Sequence, residues 1–199
     1  MLIILAGLLV AWALRNDTLH AVDRDDIHAE LESIVSKSDP AGNVEYSDVV
    51  DQGCDSGNSV GLDLWTHCAI SGRRFYRSQG TPSVDLRPLD QALIANGWKR
   101  SLKTGQTPAD FDQILTTPAE DGLALYERGS IPLVVSQHIY EGNNPSRHDE
   151  VIDALIKNGA LSTPASSESI LRVDISVMYW SCHASILKLP CPAPPSKPQ

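Results

Sequence analysis

From residue 170 to 182 apolar and polar side chains alternate. Leu171, Val173, Ile175, Val177 and Tyr179 share one side, and Ile170, Arg172, Asp174, Ser176, Met178 and Trp180 share the other. A period of two over this length predicts a β-strand with one buried face. One-sided burial predicts an antiparallel sheet, because a strand covered on both faces is apolar throughout. This strand is the expected backbone of the fold. A second alternation sets Leu62, Leu64, Thr66, Cys68 and Ile70 against Asp63, Trp65, His67, Ala69 and Ser71. It predicts a strand over 62–76, with Gly72 as a bulge or bend. A short strand is expected over 44–50 after the Gly42-Asn43 turn signal, and residues 51–61, rich in Asp, Gly, Ser and Asn, read as a loop. Residues 123–127 and 131–140 predict a hairpin about Arg128-Gly129-Ser130, with Pro132 near a strand start or on an edge. A further short strand is expected over 98–102.

The remaining apolar positions recur at helical spacing. Leu86, Leu89, Leu93 and Ile94 predict a helix over 85–96, with Pro88 in its first turn, Gly97 just past its end and Trp98 packing back onto it. Thr107-Pro108-Ala109-Asp110 resembles a capping box and opens a short helix to Leu115. Val151, Ile152, Leu155 and Ile156 place another helix over 145–158, closed by Gly159. Leu19, Val22, Ile27, Leu31, Ile34 and Val35 predict an amphipathic helix from a cap at Asn16, Asp17 or Thr18 to Asp39-Pro40. That helix fits either a stalk or an element packed on the sheet. Ala-Leu-Ile-Ala-Asn-Gly at 92–97 and Ala-Leu-Ile-Lys-Asn-Gly at 154–159 nearly repeat. The repeat fits an ancient duplication or two helices with a common ending.

Residues 1–14 carry no charged side chain. The run is shorter than the roughly 20 residues of a spanning helix, and no Lys or Arg precedes it. Ala11-Trp12-Ala13 matches a small-x-small cleavage pattern. A membrane anchor or signal segment is expected. The expected division is therefore an anchor or signal at 1–14, an amphipathic helix at 15–39, a globular domain at 40–182 and a Pro-rich tail at 183–199. The fold class is α+β: a mainly antiparallel sheet of roughly five to seven strands with two main helices on one face, preceded by a hydrophobic and amphipathic N-terminal helix. A length of 199 residues suits one such domain with appendages.

The cysteines bear on compartment. Cys54, Cys68, Cys182 and Cys191 are an even set behind an export-like N-terminus, so disulfides are expected, paired 54–68 and 182–191. His67-Cys68 and Cys182-His183 are neighbouring donor pairs of the zinc type, but adjacent strand residues point to opposite faces, and no Cys-x-x-Cys or His-Glu-x-x-His occurs. No metal or other cofactor is expected.

Candidate chemistry is sparse. Gly57-Asn58-Ser59-Val60-Gly61 matches the nucleophile-elbow pattern, whose Ser requires a strand before it and a helix after it. On this reading Ser59 is the nucleophile of a small secreted hydrolase. His138 and His148 form a possible acid–base pair, and Trp65, Trp98 and Trp180 could line a groove. The net charge of −9 disfavours nucleic acid and anionic headgroups as partners. Within it, Arg73, Arg74, Arg77, Arg87, Lys99, Arg100 and Lys103 stand against only Asp85 and Asp90, a local net of +5. The six bases other than Arg87 are the candidate binding surface for an anionic partner. The expected protein is a non-catalytic, extracytoplasmic domain, membrane-anchored or secreted, that binds a protein or envelope component. A hydrophobic segment, an amphipathic helix, a sheet and a C-terminal disulfide together resemble the ground plan of type IV pilin subunits, although the Gly-Phe-Thr-Leu-Ile-Glu signature is absent. That resemblance implies a structural subunit.

Overall fold

The computed structural model describes residues 17–37, 44–59, 63–79, 84–117, 123–141 and 149–185. The elements run β1 (Asp17–Ala21), α1 (Arg24–Lys37), β2 (Val44–Ser59), β3 (Asp63–Gln79), α2 (Arg87–Ala95), β4 (Lys99–Arg100), α3 (Pro108–Thr116), β5 (Leu123–Arg128), β6 (Ile131–Tyr140), α4 (Glu150–Lys157) and β7 (Glu168–Ser185). All strand pairs are antiparallel, in the order β2-β3-β7-β6-β5-β4, and β1 also pairs with β7. The fold class is α+β as expected.

The alternating strand is the centre of the sheet. Along one flank β7 pairs with β3 over its whole length. On the other flank β6 covers residues 170–177, and β1 takes residues 180–183 where β6 has ended. Leu171, Val173, Ile175 and Val177 are buried against Ile27, Leu31 and Ile34 of α1, Leu89 and Leu93 of α2, and Phe111 and Leu115 of α3.

The alternation fails at one place. Cys68 faces Trp180 and Ala69 faces Met178, so Tyr179 is an extra residue in β7. A bulge puts successive side chains on the same side. Trp180 and Cys182 therefore join Tyr179 in the main core, not the face expected of them.

The two main helices were expected on one face, but they lie on opposite faces. The opposite face of the sheet has its own small core, in which Ile152 and Leu155 of α4 and Leu161 cover Phe75, Tyr140 and Ile170. Those three side chains come from three strands, and they form an apolar patch only once the strands are paired. Burying such a patch gains about 25 cal/mol per Å², so a helix covers it. The cores are joined through one sheet.

The N-terminal helix begins later than expected. Residues 17–21 are β1, and α1 starts after Asp23, whose Oδ1 accepts from the backbone N–H of Asp25 at 2.8 Å. Its buried Ile27, Leu31, Ile34 and Val35 pack on the sheet, so it is not a stalk. Because β1 precedes α1, the helix does not continue an apolar segment upstream as the pilin plan requires. Residues 1–14 and 186–199 lie outside the described residues.

β2 was expected to stop at residue 50. It runs on, pairing Asp51 with Ile70 and Ser59 with Asp63. Loop-forming side chains do not prevent pairing when a neighbouring strand offers a full ladder. The loop signal is spent locally: Gln52 is an extra residue in the ladder, and Gly53 adopts φ +73°. Gly72 is not a bulge either. A Cβ there would lie 2.6 Å from Val35 Cγ2, so the glycine admits α1 close to the sheet.

Both Asn-Gly helix endings follow expectation. At α2, Gly97 N–H bonds to Ile94 O and Trp98 N–H to Leu93 O. At α4, Gly159 N–H bonds to Ile156 O and Ala160 N–H to Leu155 O. This is the same left-handed glycine cap twice, on helices of opposite faces. The repeat in sequence is thus a repeated helix ending. The Thr107–Asp110 capping box is present, and the hairpin turns at Gly129-Ser130 with Pro132 at the start of its strand.

Candidate functional site

The expected basic surface does not assemble. Arg73 and Arg74 point to opposite faces of β3. Arg73 Nε donates to Asp48 Oδ1 at 2.8 Å, and the bond to Asp48 raises its pKa further. Arg74 is only 1% exposed, and its Nη2 donates to the carbonyls of Ile34 and Val35 at 2.7 and 2.6 Å. It closes the C-terminal end of α1, where unpaired carbonyls and the helix dipole favour a cation. Arg77 makes two 2.9 Å bonds to Glu45 and one of 3.1 Å to Glu168. Arg100 grips buried Asp90 at 2.9 and 2.7 Å, reaches Asp112 at 2.9 Å, and lies 5.0 Å over the Phe111 ring. Lys99 and Lys103 are exposed. Arg73, Arg77 and Arg100 are paired with Glu45, Asp48, Asp112 and Glu168, all from outside the segment. Folding alone brings these acids to it.

The other candidates resolve individually. Ser59 ends β2 opposite Asp63 in an antiparallel pair, with no helix after it, so the strand-turn-helix of a nucleophile elbow is not formed. Cys68 is disulfide-bonded to Cys54, its neighbour across β2 and β3 at a Cα separation of 4.0 Å. Cys182 is disulfide-bonded too, and Cys191, its expected partner, lies outside the described residues. No cluster of three metal donors occurs among the described residues. Trp98 and Trp180 are core residues; Trp98 Nε1 donates to Glu30 Oε1 at 2.8 Å, with the Arg128 guanidinium 4.3 Å over its ring. The side chain of Trp65 and all of His148 lie outside the described residues.

A charged row unforeseen from the sequence crosses the α4 face. Arg172 Nε donates to Asp174 Oδ2 at 2.9 Å, and Arg172 Nη1 reaches Asp149 Oδ1 at 2.5 Å. Asp149 also accepts from Val151 N–H at 2.9 Å as the N-cap of α4. Arg172 thus ties the centre of the sheet to the start of the helix. Asp174 stands opposite Arg73 in the ladder, and His138 Nε2 is 3.7 Å away, beyond hydrogen-bond range. Asp174 is 9% exposed, and its Oδ1 is buried without a hydrogen-bond partner. Burial pushes this carboxyl up, outweighing the opposing pull of Arg172. The nearby hydroxyls of Ser71 and Ser176 hydrogen-bond to each other. The row joins β7 to the start of α4. Its only sequence signal was the polar set Arg172, Asp174 and Ser176 on one strand face.

An open surface lies at the sheet edge. Among the described residues β2 pairs on one side only, with β3. Between β2 and α1 runs a groove of about 540 Å³ lined by Ala29, Glu32, Ser33, Val35, Ser36, Ser47, Asp48 and Val49. Of its two acids, Asp48 is paired with Arg73, and the Glu32 side chain is exposed. β2 as a whole holds Glu45, Asp48, Asp51 and Asp55 and no Lys or Arg.

These features define a disulfide-bonded α+β sheet domain whose edge acids Glu45, Asp48 and Asp51 are paired with Arg77, Arg73 and Arg24. Comparison with protein-family models, curated proteins and solved structures gives no match.

Proposed function

We propose that this chain is a non-catalytic, extracytoplasmic domain that binds a protein or envelope component, held at a membrane or secreted through its apolar N-terminal segment. The observation that carries the reading is the Cys54–Cys68 bond. It joins the edge strand to its neighbour, and Cys54 is exposed. A bridge within reach of solvent thiols persists in an oxidising compartment and is reduced in a cytosol. The apolar run of residues 1–14 supports the same compartment. With the arginines of residues 73–103 engaged internally, the binding surface moves away from them.

The test is cell fractionation followed by non-reducing peptide mapping. The reading expects the chain in the membrane or secreted fraction with residues 54 and 68 linked. A cytosolic chain with free thiols overturns it.

A further inference from the structure

We infer that His20 of β1, His67 of β3 and His183 of β7, brought to one patch of the sheet by strand register, form a binding site for a divalent transition-metal ion of the zinc type. The inference goes beyond the binding-domain reading and does not rest on it.

Register builds the site. From Asp63↔Ser185 to Cys68↔Trp180 the ladder between β3 and β7 is unbroken. Cys68, Trp180 and Cys182 belong to the main core, so His67, Ser181 and His183 lie on the opposite face. His67 stands opposite Ser181, and Trp65 stands opposite His183. His67 and His183 are therefore diagonal neighbours, about 7–8 Å apart. On the other flank, β1 sets Asp17 opposite His183 and His20 opposite Ser181. His20 thus shares this face and is diagonal to His183 as well. The side chains of Asp17, His20 and His183 lie outside the described residues, and it is the backbone that places these positions.

Ser181 is the short residue between the three histidines, and it is only 6% exposed. A serine among longer side chains leaves a sheltered hollow above the sheet, and this is the place for an ion. His20 and His67 are two strands apart, roughly 10 Å at the usual strand spacing, so an ion over β7 lies midway between them. His67 is half-buried, and Asp55 beside it is exposed, so the patch is open to solvent on the β2 side.

The donor set selects the ligand. Neutral imidazole binds zinc, copper and nickel, and zinc sites commonly take three protein ligands and leave a fourth position. Asp55 stands opposite His67 and Asp17 opposite His183. A carboxylate at such a place orients a ligating ring or fills the fourth position. Cys68 and Cys182 are disulfide-bonded, so the site offers nitrogen and oxygen donors without thiolate. The alternation that keeps His67 from sharing an ion with Cys68, and His183 with Cys182, is what gathers the histidines on one face.

The test uses the full chain with its disulfides intact, stripped with a chelator and titrated with Zn²⁺ by calorimetry. One saturable equivalent is expected, with a raised thermal midpoint in the metal-bound protein. X-ray absorption at the zinc edge is expected to show imidazole and oxygen ligands and no sulfur. Losing a mere partner of a metal ligand costs about 10–100-fold in affinity, so His20→Gln, His67→Gln and His183→Gln are each expected to weaken binding about a hundredfold. The thermal midpoints of these variants in chelator should match that of the wild type. His28→Gln, on α1, should bind Zn²⁺ as the wild type does. Absence of saturable binding overturns the inference, and so does sulfur in the zinc shell. Wild-type affinity in any one of the three variants overturns it too, as does equal weakening by His28→Gln.

Discussion

At the scale of single residues, close packing and burial make separable predictions. Ile175 is fully buried at the middle of β7, so Ile175→Ala is expected to cost about 2–5 kcal/mol in chemical denaturation. Gly72→Ala adds a methyl where α1 leaves no room, and a loss of about 1–3 kcal/mol is expected. Val35→Ala removes the atom in conflict, so combining the two should cost less than their sum. An additive double mutant would show that the two positions do not meet. Asp174 carries the pH prediction. Its folded pKa lies above the unfolded one because burial disfavours the charge. The stability it contributes is therefore complete below the unfolded value, about 4, and is lost as pH rises through the raised folded value. Asp174→Asn has no proton to lose. Relative to wild type it should gain stability as pH climbs from about 3 to about 7. Carboxyls held low elsewhere, such as Glu168, whose shift comes first from the Ala165 N–H, are present in both proteins, and their contributions cancel in the difference. Denaturation midpoints across that range check it, and a difference that falls with pH rejects the assignment.

At the scale of elements, what was legible was local. The endings of α2 and α4 were readable because Asn-Gly needs only its own turn to adopt a left-handed cap. The capping box of α3 was readable for the same reason. The start of α1 was not, because residues 17–21 have helical spacing yet find free backbone partners on β7 beyond the end of β6. The length of β2 was missed because turn composition describes a chain without a neighbour. The disulfide belongs at this scale, since it pins the distal half of β2. Replacing Cys54 and Cys68 together by Ser is expected to cost about 3 kcal/mol, given a sequence separation of 14. Amide exchange should quicken first at residues 53–59, while residues 46–51 keep their protection. Uniform acceleration along β2 would show that the bridge acts on the whole sheet.

At the scale of the molecule, two helical layers on one central strand explain why the charge map of the sequence misleads. A strand alternates faces, so Arg73 serves the α4 side and Arg74 the α1 side within one residue of each other. In the fold, four acids from outside the segment are set against its net charge of +5.

The sequence by itself determined what depends on neighbours along the chain: the α+β class, the central strand and its buried face, the helix caps and the hairpin turn. These follow from period and turn chemistry, both written within a few residues. Only the tertiary structure decided the rest. It placed α4 opposite α2 because Phe75, Tyr140 and Ile170 meet from three strands. It turned Trp180 inward through one inserted residue, buried Arg74 beneath a helix end forty residues away, and among the described residues gave β2 one strand neighbour, β3. Each depends on contacts between distant segments, and a linear pattern of hydrophobic and polar positions carries no record of which segments will meet.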